Sequence, residues 1–476
     1  MPATLALIDG VHIDTSESVT RILGPGVDLV LDRPSAQDLK TLRRLVLGRS
    51  SHSALTTRTI AHGGLAGLRR FYELLAELIT RGWLIERVVD GTAAIVSAIP
   101  LTDDYSWNDG SNGDREGTLS RFAFMRRVGA QMVLESPTAR AQIVLHDWRV
   151  LFLLWQLSRS RPRSRAGTPG AGLPRSVIRA VRGMLWSAGF LVTGNDGPDA
   201  GEPPKLFFWE FHDLLFHSRS RLGRHHNPYG ATYPFEGRVP MPPVFRPRDR
   251  RTRIRLFRPD VTRLRRTDWT LTRALEARRS QRDHSDSPIT RRELGEFLFR
   301  SAAVRSARPH DRYAASVRVY PSGGSVYSLE LYIAVRLCAG LAPGLYHYVP
   351  ERHALSRVSS LTVPVRSLLD SAGRAVRAAQ PQLLILIAAR FPRAAWKYSS
   401  ISYSLVLKEV GALMQTMYLV ATAMGLGACA LGGGDSDLFA KAAGMDYYAE
   451  GSVGEFILGR LPRFAGARRL QPGRKL

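Results

Sequence analysis

Lysine is scarce in this 476-residue chain, which has only Lys40, Lys205, Lys397, Lys408, Lys441 and Lys475. The remaining basic residues among 67 Lys+Arg are arginines; set against 41 Asp+Glu, they give a formal charge of +26. Such a charge points in general to nucleic acid, an anionic membrane or acidic peptides. In an Ala/Arg/Gly-rich chain it also reflects composition. Runs such as RSRPRSR from Arg159 and FRPRDRRTRIRLFRP from Phe245, set among prolines, read as solvated linkers. Cysteine is scarcer still. Cys338 and Cys429 alone exclude a disulfide framework and a multi-thiolate metal site, and they fit a reducing compartment, so a cytoplasmic protein is expected. The start, MPATLALIDGVHIDT, lacks a basic segment followed by an apolar one, so no signal peptide is expected. Long apolar runs are also few. Only Val410 to Leu431 approaches the ~20 residues of a membrane span. Gln415, Thr416, Thr422 and three glycines interrupt it, with Lys408, Glu409 and Asp435 near its ends, so a helix buried in a protein core is expected. His212 and His217 stand five apart, off the i, i+4 spacing of a zinc pair, and no metal site is expected.

What is present divides the chain. Residues 1–100 and 115–200 share one order: a strand-like run, a helix, an amphipathic helix, a glycine stop and a β-rich run. LAELITRGWLIE and VRGMLWSAGFLVT carry the endings, as a winged-helix-like α+β module would finish. RPRSRAGTPGAGLPR reads as an insertion in the second module. Residues 201–268 hold an aromatic and histidine-rich segment, FFWEFHDLLFHSRSRLGRHHNPYG, followed by a basic, proline-punctuated stretch from Met241 to Asp268 that reads as a linker. Residues 269–476 are mixed α and β. A helix and a basic turn lead to a second helix entered through Ser287, Pro288 and Thr290. Strands follow at SLELYIAVRL, at a hairpin around Pro350 and at PQLLILIAAR, then the long helix, and a closing strand delivers Arg460.

Three features suggest anion and ring binding. Arg278, Arg279, Ser280 and Arg282 lie between two helices and suit a dianionic phosphate, which wants arginine forks, a hydroxyl and backbone N–H groups. Pro321, Ser322, Gly323 and Gly324 open a turn, PSGGS, small enough to let a planar ligand approach the backbone; a plain tight turn is the other reading. Gly425, Gly427 and Ala430 match G-x-G-x-x-A, but that fingerprint must follow a strand and open a helix, and here it ends one, so no dinucleotide site is read. Gly432, Gly433 and Gly434 offer free backbone N–H groups instead, with a plain glycine-rich helix exit as the other reading.

In this order, ARRSQRDHSDSPITRRELGEFL, YPSGGSVYSLELY, GLYHYVPERHAL, WKYSSISYSLVLKEVGALMQTMYLVATAMGLGACALGGGDSD and SVGEFILG strongly resemble the SagB-type peptide dehydrogenases of the nitroreductase superfamily, over about Leu271 to Pro462. The resemblance implies an α+β, FMN-binding, homodimeric fold with flavin sites at the subunit interface. Arg278, Arg279, Ser280 and Arg282 would hold phosphate and ribityl oxygens. Ser322 and Gly323 would approach the flavin from the partner chain, Gly432 and Gly433 would lie near the isoalloxazine edge, and Arg460 near the phosphate. Lys397 and Tyr398 match the family's catalytic Lys-Tyr pair; read from the residues alone, Lys397 would be a surface residue at the end of a strand-to-helix loop.

The implied reaction turns a thiazoline or oxazoline of a ribosomally made precursor peptide into its azole. The Cα hydrogen leaves as a proton and a Cβ hydrogen as hydride, so FMN takes the hydride and the protein supplies a base. Lys and Tyr titrate near ~10 when free, so one of them is expected to be shifted downward. A cyclodehydratase is the implied partner, and dioxygen the expected oxidant of reduced flavin. The N-terminal modules resemble, more loosely, leader-peptide recognition domains; a scaffold role is the alternative. Two further functions stay open: a nitroreductase-like NAD(P)H-dependent enzyme acting on a small molecule, and a flavin-sensing winged-helix regulator.

Overall fold

The computed structural model describes residues 3–15, 19–25, 28–32, 34–102, 104–108, 111–159, 172–193, 201–246, 253–308 and 312–462. The chain divides into two compact units, residues 1–227 and 228–476. The insertion expected at RPRSRAGTPGAGLPR lies mostly outside the described residues.

In the first unit, apolar spacing and caps place the helices. Ser35 and Asp38 form a capping box at the start of helix Ala36–Leu47. The following helix, His52–Thr80, buries Phe71, Leu74, Leu75, Leu78 and Ile79 along one stripe. Its Gly64, at φ 55°, breaks the helical geometry. The strands form one antiparallel sheet in the order Ala3–Leu7, Leu84–Asp90, Ala93–Pro100, Ala141–Leu145, Gln131–Glu135 and Phe124–Val128. Strands of residues 1–100 and of residues 115–200 therefore share a single sheet. In residues 115–200 the strands Gln131–Glu135 and Ala141–Leu145 form a hairpin, and the two helices that follow are Arg149–Leu157 and Arg175–Ser187.

The second unit is built on a seven-stranded antiparallel sheet, ordered Arg253–Arg255, Ala354–Ser359, Gly344–Val349, Leu329–Val335, Leu383–Arg390, Glu450–Arg460 and Leu426–Leu431. Side chains alternate across a strand with period two, and here both faces are covered. Leu383, Ile385 and Ile387 face one core with helices Arg291–Ala302 and Ser402–Ala423, whereas Leu384, Leu386 and Ala388 face another with Val363–Val376 and Ser436–Ala443. Double coverage explains why LLILIAAR is apolar throughout instead of alternating. Thr290 caps its helix through a reciprocal bond with Glu293. Of the stretch Met241 to Asp268, read above as a linker, Arg253–Arg255 is an edge strand paired with Ala354–Ser356, and Val261–Thr267 is a helix capped by Asp260. Composition hid a strand whose partner lies about a hundred residues away. The apolar stretch from Val410 resolves into the long helix Ser402–Ala423, with Leu413 and Met417 fully buried, and the edge strand Leu426–Leu431. Among the described residues no helix is long and apolar enough to cross a membrane.

Candidate functional site

Two clusters of side chains sit on the long helix Ser402–Ala423. The first gathers around Tyr418. Ser280 Oγ shares a hydrogen bond with Tyr418 Oη at 3.0 Å, and the Arg278 guanidinium lies 5.3 Å from the Tyr418 ring centre. The Ala430 N–H donates to the same Oη at 2.7 Å, and the Gln281 N–H donates to Ala428 O at 2.8 Å. The loop Arg278–Arg282 is thus pinned to the edge strand Leu426–Leu431, two residues before Gly432. Arg279 turns back on Glu276 O and Arg278 O. No ion pair among the described residues neutralises Arg278, Arg279 or Arg282, so the loop carries a surplus of positive charge beside a serine hydroxyl. That donor set fits a phosphate dianion.

Arg460 reaches the same region through its backbone, whose carbonyl accepts from the Ser285 N–H at 2.8 Å. Its guanidinium, however, is engaged by Glu293 at 2.7 and 2.9 Å. Partial burial pushes that carboxyl up, but the Thr290 N–H and hydroxyl, and after them Arg460, hold it below its usual range. A phosphate role for Arg460 therefore competes with this pair. Gly432 and Gly433 are exposed, and a Cβ built on either would meet nothing within 4 Å. The space over both is open. Gly434 is different, since a Cβ would lie 2.7 Å from Glu455 Oε1. Burial pushes Glu455 up to about 7.

The second cluster surrounds the turn Pro321–Ser325. Gly324 at φ 56°, Ser325 at φ 56° and Tyr327 at φ 46° all occupy left-handed backbone, a conformation that persists only where neighbours enforce it. Hydrogen bonds supply the enforcement. Ser322 Oγ accepts from the Tyr327 N–H and donates to Glu409 Oε2, both at 2.9 Å. The Gly324 carbonyl accepts from Tyr313 Oη at 2.7 Å, and Lys397 Nζ donates to Tyr313 Oη at 2.6 Å. A Cβ on Gly324 would run into Lys397 Nζ and lie 2.5 Å from Tyr398 Oη.

Lys397 closes the helix Phe391–Lys397 and is only 6% exposed, so the surface position expected from the residues alone is overturned. Its ammonium lies 4.9, 5.3 and 5.9 Å from the ring centres of Tyr313, Tyr398 and Tyr233. Desolvation lowers its pKa, yet the Tyr313 bond and the surrounding phenols outweigh that and raise it. Burial raises Tyr398, more than Lys397 lowers it. The expected downward shift of one member of the pair is therefore corrected: both hold their protons more firmly than free side chains.

Lys397 and Tyr398 thus share a cluster with Ser322, Gly323 and Gly324, while Arg278, Arg279, Ser280 and Arg282 gather in the other, along the edge strand Leu426–Leu431; its register places Arg460 opposite Leu426 at one end and leaves Gly432 and Gly433 just past Leu431 at the other. Leu405 packs beside Gly323 and Tyr418 beside Ser280. Their separation of thirteen positions spans ~20 Å of helix. Tyr313, Tyr233, Tyr418 and Glu409 were not found by sequence reasoning. Only Glu409 had a signal, as a carboxylate on the buried stripe Val406, Val410, Leu413 and Met417.

A family model described as cyanobactin oxidase ThcOx matches residues 117–226, and the nitroreductase family model matches residues 275–460. A protein of Methanocaldococcus jannaschii named as a nitroreductase is 35% identical over 155 residues, which is 33% of this chain and 74% of that protein. The Escherichia coli microcin B17-processing protein McbC is 31% identical over 134 residues, 27% of this chain and about half (49%) of its own length. The solved E. coli microcin synthetase McbBCD complex, with truncated pro-MccB17 bound, aligns at TM-score 0.33 and 21% identity over 52% of this chain and 91% of the matched chain.

Proposed function

Because the chain belongs to the nitroreductase family and is an FMN oxidoreductase, we propose that it oxidises azoline rings, thiazoline or oxazoline, in a ribosomally made precursor peptide. The observation that carries this reading is the buried ammonium of Lys397, ringed by three phenols and abutting the glycine turn. A flavin reductase that merely passes electrons needs no such group, whereas azoline aromatisation needs a proton removed beside the hydride that departs. The ThcOx match in the first unit and the likeness to a microcin-processing protein support the same substrate class. A cyclodehydratase, which makes the rings, is the proposed partner.

When bound, FMN supplies the two-electron acceptor for the Cβ hydride. Arg278, Arg279, Ser280 and Arg282 would hold its phosphate end, and Gly432 and Gly433 would leave room for its ring. The Pro321–Ser325 turn and Lys397 occupy the far end of the long helix, so we assign one complete site to two chains. The turn, Lys397 and Tyr398 of one chain would face the flavin held by its partner. Tyr398 takes the Cα proton as phenolate, and the Lys397 ammonium stabilises that charge. Tyr313 holds the ammonium in place and anchors it to Gly324 O. Since both Lys397 and Tyr398 are raised, the reactive form is a minor one near neutrality.

The test is incubation of the flavin-loaded protein with an azoline-containing peptide under air, followed by mass spectrometry. The expected result is loss of two hydrogens per ring with wild type and none with Lys397→Ala. Loss of flavin colour on adding NAD(P)H and its return on adding a nitroaromatic, with no change in any azoline peptide, would establish the small-molecule reductase instead.

A further inference from the structure

Glu409 is a buried carboxyl that the chemistry above does not use. It lies on the long helix, 5% exposed, with Oε2 accepting from Ser322 Oγ and Oε1 buried without a hydrogen-bond partner among the described residues. Two cations face it, Arg318 ahead of the turn and Arg393 on the helix Phe391–Lys397, together with Tyr320 and the Ser328 backbone. Neither arginine hydrogen-bonds to it. Arg318 Nη1 donates to Tyr320 Oη and Leu329 O, and Arg393 donates to Val326 O, Pro242 O and Ala314 O. Desolvation therefore prevails over the Ser322 bond and the two charges, and pushes Glu409 up to about 7.

Ser322 has one hydroxyl proton to give. The Tyr327 N–H already occupies one lone pair of its oxygen, and the Glu409 carboxylate takes the proton. If Glu409 carries a proton on Oε2, it can donate to the remaining lone pair, and the serine hydroxyl is released to point away from the core. We infer that Glu409 is a positioning residue for the Pro321–Ser325 turn: its ionisation decides whether Ser322 offers its hydroxyl proton to a ligand on the turn or keeps it turned inward. The ligand class is a ring with exposed acceptor atoms, such as the flavin carbonyls and ring nitrogens. The inference rests on flavin contacting this turn and not on the identity of the oxidised substrate, so it survives if the azoline reading fails.

The experiment measures the apparent FMN dissociation constant by fluorescence quenching, from about pH 5.5 to about pH 8.5, spanning a carboxyl raised to neutrality. Wild type, Glu409→Gln, Ser322→Ala and the double variant are compared, with thermal melts to establish folding. Titration of the FMN phosphate is common to all four and cancels in ratios. The amide introduced by Glu409→Gln can donate to Ser322 at every pH, as only the protonated acid can. Glu409→Gln is therefore expected to match wild type at the acid end and to bind about threefold to tenfold tighter at the alkaline end, the worth of one hydrogen bond. Ser322→Ala is expected to lose that pH-dependent difference when combined with Glu409→Gln. Parallel curves for wild type and Glu409→Gln, or a uniform weakening in Glu409→Gln at all pH values, would overturn the inference, as would a difference that persists in the Ser322→Ala background.

Discussion

Substituting Gly324 by alanine separates stability from chemistry. The residue sits at φ 56°, where an L side chain costs about 1–2 kcal/mol. Its new Cβ would lie 2.5 Å from Tyr398 Oη, against an ordinary contact of at least 3.4 Å, and would also meet Lys397 Nζ. Both obstructing atoms end flexible side chains, so they can retreat by about 1 Å without breaking the fold. The strain alone then lowers Tm by about 2–8 °C for a unit of this size. The retreat removes the ammonium from Tyr313 and the phenol from its place, and a misplacement of about 1 Å costs about a hundredfold in rate. The assay pairs a thermal melt with the rate of two-hydrogen loss from an azoline peptide at saturating FMN. A Gly324→Ala variant that oxidises peptide at the wild-type rate would refute the placement of Lys397 and Tyr398 in the chemistry.

Because Lys397 and Tyr398 are both raised, kcat/KM is expected to climb with pH through the alkaline range; a plateau already reached below neutrality would contradict it. Arg278→Ala is expected to weaken FMN binding about tenfold to a hundredfold, read by flavin content after gel filtration, with the melt unchanged. Leu413→Ala removes a side chain with no exposure from the face of the long helix and is expected to cost about 2–5 kcal/mol in urea unfolding. Glu409, raised in the folded state, contributes stability that is complete below its ordinary value of 4.5 and is lost as pH rises through about 7. Glu409→Gln is expected to abolish that loss, about 3 kcal/mol at most, as judged by unfolding at acid and neutral pH.

The N-terminal unit shows how local pattern and global pairing part company. Both helix–glycine–strand endings were legible, because spacing and stops are local. Nothing in them showed that Ala93–Pro100 pairs with Ala141–Leu145, which joins the two expected modules into one sheet. The supposed linker failed to read as structure for the same reason: three residues of edge strand among arginines carry no period, and their hydrogen bonds are supplied by Ala354–Ser356.

By itself the sequence determined the order of elements in the C-terminal unit, the Thr290 entry to its helix, the hairpin at Pro350, the arginine loop and the adjacency of Lys397 to Tyr398. Each depends on residues within a few positions of one another, where caps, turns and hydrophobic period act. Tertiary structure alone decided that Lys397 is buried, that Tyr313 holds it from 84 residues away, and that Glu409 holds Ser322 across 87. It also raised the pKa values of both members of the pair, one of which was expected to be shifted downward. Protonation follows from which groups are within a few ångströms and how much water is excluded, and those are properties of packing, not of order along the chain.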